Sequence, residues 1–305
     1  MPTIDTYDQV GKKEDIADLI TNISPTKTPM QTTIGRETVW NTYYQWQEDS
    51  LSAPVVNAQI EGAVAPSSTF TATVMRYNTT QIFIKTVAAS GSTDAIKAYG
   101  RKQELAYQLS KKSAEIKRDL EYALVGTAQA YAVGSDSVAR QFGGVQSMIG
   151  PTHVFYADTG DNTAPTTPVL TPLSENLVLA ANQQLYTDGG EATIFMIKPA
   201  DALIVAGFAA ATGRVRYLDA DEKKVVNVVN IYESPFGSQR VVINRFQATN
   251  NAFLFDPTYW KLMVMRNWFR ENLAKTGDFT EMMLVGEFGL KHRNYLASAL
   301  LTDLH

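Results

Sequence analysis

Apolar residues recur through 100–131 at helical spacing, with Leu105, Leu109, Ile116, Leu120 and Ala123 on one line and Lys112 and Thr127 filling the steps of four and three. The stretch has no proline, so the pattern predicts one long helix with a narrow apolar stripe; the Lys112 stem can lie along it. Such a rod would be about 45 Å long at 1.5 Å per residue and needs an extended partner. Lys111 with Glu115, and Lys117 with Glu121, are spaced to pair on its exposed face. Upstream, Ile16, Leu19, Ile20 and Ile23 form a short helical stripe stopped by Pro25, and Thr28-Pro29 starts a second short helix that Gly35 is placed to end. This arm is too small to bury its own apolar face.

From Thr38 the period changes to two. Trp40, Tyr44 and Trp46 share one parity, the softer 47–68 stretch follows, and STFTATVMRYNTTQIFIKTVAAS returns to strand. Two strands with a loose tip make a long hairpin, which is marginal alone and is expected to lie on another subunit. A cap at Ser92 or Thr93 and a boundary or kink at Gly100 lead into the long helix. Beyond Gly134 the glycine pair Gly143-Gly144 and the Thr/Pro/Asp stretch around 157–172 read as turns and a surface loop. A compact α/β block follows: a helix near 172–186 started by Thr171-Pro172, the buried strand ATIFMI, a helix at 199–211, and a hairpin turning at PFGSQ. The tail reads as two long strands joined at Gly277-Asp278, and these are the expected partner of the long helix.

With 305 residues, 45% of them hydrophobic, the chain can build one large or two modest cores. A net charge of −4 gives no global footprint for nucleic acid, and zero cysteines excludes disulfides, thiolate metal sites and a cysteine nucleophile. The sequence shows neither a signal peptide nor a membrane-length apolar run, so a cytosolic product is expected.

Candidate chemistry is sparse. Asp158-Thr159-Gly160 matches the aspartic-protease triplet, but a single copy running into a Thr/Pro loop favours a plain turn over an aspartic-type hydrolase. The acidic residues there lack the spacing of a calcium loop. Neither GxSxG, GxxxxGK[ST] nor HExxH occurs around the three histidines. The expectation is no catalytic, cofactor or metal site. Asp219, Asp221 and Glu222, followed by two lysines, read as a loop or subunit edge that sets register. Basic residues of the long helix, including Arg101, Lys102, Lys111, Lys112, Lys117 and Arg118, alternate with acids and read as a solvated face rather than a phosphate track.

The order of parts, with the phrases DIADLITNISPTKTPMQTTIG, YESPFGSQRVVINRF and TGDFTEMMLVGEFGLKHRN, resembles the major capsid proteins of tailed bacteriophages. The resemblance implies an α+β, Hong Kong 97-type fold. Its parts would be an N-terminal arm (1–37), an extended loop (38–90), a peripheral domain with a spine helix (91–133 and 257–305) and an axial domain (134–256). It implies self-assembly into hexamers and pentamers of an icosahedral head around double-stranded DNA, formed in the host bacterial cytoplasm with separate scaffolding, portal and decoration proteins and no membrane. Intersubunit contact candidates are Ile16, Leu19, Ile20, Trp40, Tyr44, Trp46, Asp219, Asp221 and Glu222, with packing inside the subunit as the alternative for the aromatic and arm residues. An encapsulin-like nanocompartment shell is the alternative with the same fold. Some members weld subunits through a lysine on the extended loop; no lysine lies between Lys27 and Lys85, so non-covalent particles are expected.

Overall fold

The computed structural model describes residues 24–65, 67, 70–96, 103–211 and 231–305. The arm stripe of Ile16, Leu19 and Ile20, the Gly100 boundary, and the cluster of Asp219, Asp221 and Glu222 lie outside the described residues.

The chain enters through α1 (Pro29–Thr33), with proline in its first turn as expected. Gly35 does not end it. The helix closes on Ile34, whose extended backbone needs no left-handed residue, and Gly35 opens β1 (Gly35–Thr38). β2 (Tyr43–Glu48) and β3 (Val74–Thr79) pair antiparallel from Tyr43↔Thr79 to Glu48↔Val74, forming the neck of the predicted hairpin. Trp40 lies before this ribbon, in a bend. β4 (Gln81–Ser90) runs into α2 (Gly91–Ala95), and the cap is Ser90 rather than Ser92 or Thr93, its Oγ accepting the Thr93 amide at 3.3 Å.

The long helix is shorter than its apolar pattern. α3 (Glu104–Glu121) widens into a π-helical turn, Tyr122–Gly126, and ends there instead of at Tyr131. The segment after β8 (Gly237–Ile243) closes over it, with the Ala248 amide donating to the Val125 carbonyl at 3.2 Å. A Cβ at Gly126 would collide with the Tyr122 ring and the Phe246 carbonyl. Ile116, Leu120 and Ala123 are buried as the stripe predicts, whereas Leu105 and Leu109 are half-buried. Glu115 pairs with Lys112 at 2.7 Å, and Glu121 turns inward instead of pairing along the surface.

α3 packs along β4, where Lys85 meets Asp119 at 2.8 Å. The two long strands, β10 (Trp260–Asn272) and β11 (Phe279–His292), extend that sheet in the order β1-β10-β11-β4. The rod's nearest extended partner is thus the strand leaving the loop, with the predicted long strands beyond it.

The second sheet has the order β5-β12-β9-β6-β8-β7, from β5 (Val154–Tyr156), β6 (Ile194–Ile197), β7 (Ile231–Ser234), β8, β9 (Ala252–Phe255) and β12 (Ser298–Thr302). α4 (Glu175–Thr187) is capped by Ser174, not Thr171-Pro172, and α5 (Asp201–Ala211) follows β6 as expected. Leu177, Val178 and Leu185 of α4 form a core with Phe195, Leu254 and Leu301. Residues 257–305 therefore do not stay together: β10 and β11 belong to the first sheet, while β12 crosses to the second, between β5 and β9. Four successive buried residues in Ser298–Leu301 fit a strand covered on both faces.

Candidate assembly interface

The alternation of 43–48 turns Tyr44 and Trp46 inward, where both are buried within the chain. The Tyr44 hydroxyl donates to the Leu290 carbonyl at 2.8 Å, and Asn78 Nδ2 donates to the same oxygen at 2.7 Å. Asn78 Oδ1 accepts the Gly143 amide at 2.8 Å. Glycine is required opposite this joint, since a Cβ at Gly289 would strike the Tyr44 hydroxyl and the Thr79 carbonyl. Burial pushes the Tyr44 phenol well above its ordinary pKa, so it remains a neutral donor. Arg76 pairs with Glu48 at 2.6 Å and lies 4.0 Å over the Tyr295 ring. The neck is a fixed platform as far as Glu48 and Val74. Tyr44 and Trp46 are occupied as its internal anchors, which corrects their expected intersubunit role in favour of the intrasubunit alternative. Trp40 is 90% exposed and free to meet a neighbour.

Beyond the neck, residues 49–73 contain neither helix nor strand among the described residues. Leu51, Val55, Val56, Ile60, Val64 and Phe70 are all between 80% and 98% exposed. Burying such a side chain stabilises by about 1.5–3 kcal/mol, so a loop carrying six of them bare presents an apolar surface that gains from being covered. Sequence reasoning passed over these residues because they are scattered among small and polar ones; their signal was apolar content in a stretch with no periodicity.

Three buried polar joints tie the platform together. Glu121 accepts from the Met30 amide at 2.7 Å, the Gln31 amide at 3.1 Å, Gln31 Nε2 at 3.0 Å and Asn244 Nδ2 at 2.7 Å. Arm, spine helix and second sheet meet on that one carboxylate, whose pKa is raised by burial against these bonds. Glu287 is held by Arg140, by Arg266 at 2.8 Å and by the Thr80 hydroxyl at 2.6 Å. His292 stacks on Trp260 with ring centroids 3.9 Å apart. The Met148 carbonyl, 2.9 Å from Nδ1, can only accept, so the proton sits on Nδ1 and Nε2 accepts from Ser298 Oγ at 3.1 Å. Ser298 Oγ in turn accepts from Trp260 Nε1 at 2.9 Å. Burial lowers the His292 pKa to about 3.

A serine thus lies beside a histidine, although no motif announced it. Both are fully buried, and the histidine's outer nitrogen is oriented by a carbonyl rather than a carboxylate. The pair serves as a core joint. Asp158-Thr159-Gly160 forms a turn in which Gly160 takes φ +78° and its amide donates to Tyr156, as the plain-turn reading expects. Among the described residues no group of three His, Cys, Asp or Glu could hold a metal, and no helix is long and apolar enough to cross a membrane. On the spine helix, Lys111 and Lys117 are exposed and Lys112 is paired with Glu115, as a solvated face expects, whereas Arg118 lies 5.7 Å over the Phe246 ring with its Nε buried.

Residues 3–305 match the family profile of the SU10 major capsid protein. The chain belongs to the SU10 major capsid protein family. The major capsid protein of Escherichia phage Phieco32 is 34% identical, with 97% of this chain and 95% of that protein covered. A solved chain of Microbacterium phage Oxtober96 shares the fold at TM-score 0.65 and 14% identity, over 95% and 96% of the two chains. The holo-SrpI encapsulin of Synechococcus elongatus does so at 0.56 and 10%, over 93% and 92%. The fold alone is common to phage heads and encapsulins. Sequence similarity separates them, and this chain is a structural subunit of a tailed-phage capsid with the Hong Kong 97-type fold.

Proposed function

We propose that this capsid subunit assembles into hexamers and pentamers that close an icosahedral head around double-stranded DNA, its extended loop covering a neighbouring copy. The observation that carries this reading is the bare loop on a rigid neck: six exposed apolar side chains project beyond a ribbon fixed by Tyr44, Asn78 and the Arg76–Glu48 pair. A surface of that kind is stable only in an obligate interface, and such interfaces commonly exceed about 2,000 Å². Trp40 is the aromatic anchor left for a neighbour. The arm stripe of Ile16, Leu19 and Ile20 and the cluster of Asp219, Asp221 and Glu222 are proposed contacts on sequence grounds alone. The proposed division is an arm (1–37), an extended loop with its base strands (38–90), a peripheral domain (91–133 and 257–305 without 298–302) and an axial domain (134–256), with 298–302 joined to the axial sheet.

The protein acts by assembly rather than catalysis and takes no cofactor. Contact with DNA is non-specific, since the described basic residues of the spine alternate with acids. Separate scaffolding, portal and decoration proteins, and assembly in the host bacterial cytoplasm, are carried by the family resemblance. Electron microscopy of the overexpressed chain is the test: closed shells or capsomers are expected, and a population of monomers alone at high concentration would overturn the reading.

A further inference from the structure

A cleft of about 580 Å³ opens where the π-helical turn meets the second sheet, walled by Tyr122, Gln146, Tyr156, Gln247, Asn250 and Thr302 among others. None of its described lining residues is charged, in a chain where 19% are. Two amide atoms here are buried and have no hydrogen-bond partner among the described residues: Gln146 Nε2, a donor, and Gln247 Oε1, an acceptor. Gln247 is 6% exposed, and its own Nε2 is committed to the Asn251 carbonyl at 3.0 Å. Unpaired buried polar groups are costly, and a carboxamide carries both the acceptor and the donor that these two lining residues lack.

We propose that this cleft receives a carboxamide from the extended loop of a second copy, an inference that rests on the assembly reading above. The stretch 50–60, SLSAPVVNAQI, carries no charge, so it enters an uncharged cleft without desolvating an ion. Its two amide side chains, Asn57 and Gln59, are exposed and bond to one another at 3.3 Å, which leaves donors and acceptors to exchange for the glutamines of the cleft. Val56 and Ile60 flank them and match the apolar lining of Val154 and Leu300.

The absence of native cysteine makes the test clean. Ala58→Cys combined with Ala128→Cys, an exposed residue of the cleft wall, is assembled and oxidised. A disulfide forms only if the two backbones come within about 7 Å, so a ladder of covalent multimers on a non-reducing gel, collapsed by reductant, is expected. Ala128→Trp fills the cleft, and a loss of closed particles of at least tenfold is expected while the Tm of the unassembled subunit stays unchanged. Shells that show no ladder and that assemble normally with Ala128→Trp would overturn the proposal. So would Ala128→Trp shells that lose only an accessory protein, since the occupant would then be another chain. If Ala128→Trp lowers the subunit Tm, the disulfide pair decides. Failure of the unmodified chain to form shells or capsomers would sink the assembly reading itself, a distinct result.

Discussion

The carboxylate of Glu121 accepts the amide hydrogen of Met30 at 2.7 Å, joining the last turn of the spine helix to the first turn of the arm helix. The same group holds Gln31 and Asn244 and is fully buried, with donors rather than a cation around it. Glu121→Ala should therefore destabilise the unassembled subunit by about 2–3 kcal/mol, because several buried donors lose their acceptor. Glu121→Gln, which keeps one acceptor oxygen, should cost less. Urea unfolding of the subunit measures both, and equal stability of the alanine variant and the parent would remove Glu121 from its role.

The ring of His292 should stay neutral far below the usual histidine range. Its folded pKa of about 3 lies under the unfolded value of 6.5, so between these pH values the unfolded chain binds more protons. Its stabilising contribution is complete above pH 6.5 and is lost as pH falls toward 3, with a slope of up to about 1.4 kcal/mol per pH unit. His153, also lowered by burial, acts in the same direction. Glu121, raised by burial, acts oppositely: its contribution is greatest below its ordinary value of 4.5 and falls as pH rises through its folded pKa. Imidazole resonances followed by NMR check the first claim, and titration of His292 near pH 6.5 would contradict it.

The apolar stripe of the spine helix divides by position. Ile116→Asp places a charge at a site 3% exposed and should prevent folding, as should any unpaired charge in that core. Leu109→Asp meets a half-buried site and should leave a folded subunit that assembles poorly, while Lys111→Ala should leave folding intact. Circular dichroism and particle yield separate the three outcomes.

Trp40→Ala should leave the subunit Tm within about 1 °C of the parent, since an isolated surface substitution usually changes stability little. Particle yield or particle stability should fall, as expected for a truncated aromatic anchor worth about 2 kcal/mol or more. Unchanged particles would assign Trp40 to plain solvent.

Mature particles should run as a single subunit band on a denaturing gel. No lysine lies between residues 27 and 85, so the loop lacks the amine an isopeptide weld would need. A covalent ladder from the unmodified chain would refute this.

The parts were legible in the sequence: a short arm helix, a hairpin with a soft tip, a proline-free rod, an α/β block and long terminal strands. Each follows from a local period or a punctuating proline or glycine, and those signals need no partner to be read. The lack of any chemistry that thiols would supply was legible too, since a residue type missing from the chain cannot be added by folding. Where those periods end and which side chains face inward depends on long-range packing. The rod stops at Gly126 because a distant segment, Phe246–Ala248, packs onto it. Tyr44 is internal because Leu290 and Gly289 of a strand far along the chain meet it, and Trp46 stacks on Tyr44. Trp40, of the same parity, stays outside because the ribbon begins at Tyr43. Glu121 looked like half of a surface ion pair, and His292 and Ser298 carried no motif at all. Their roles depend on partners that only long-range packing brings within hydrogen-bond reach.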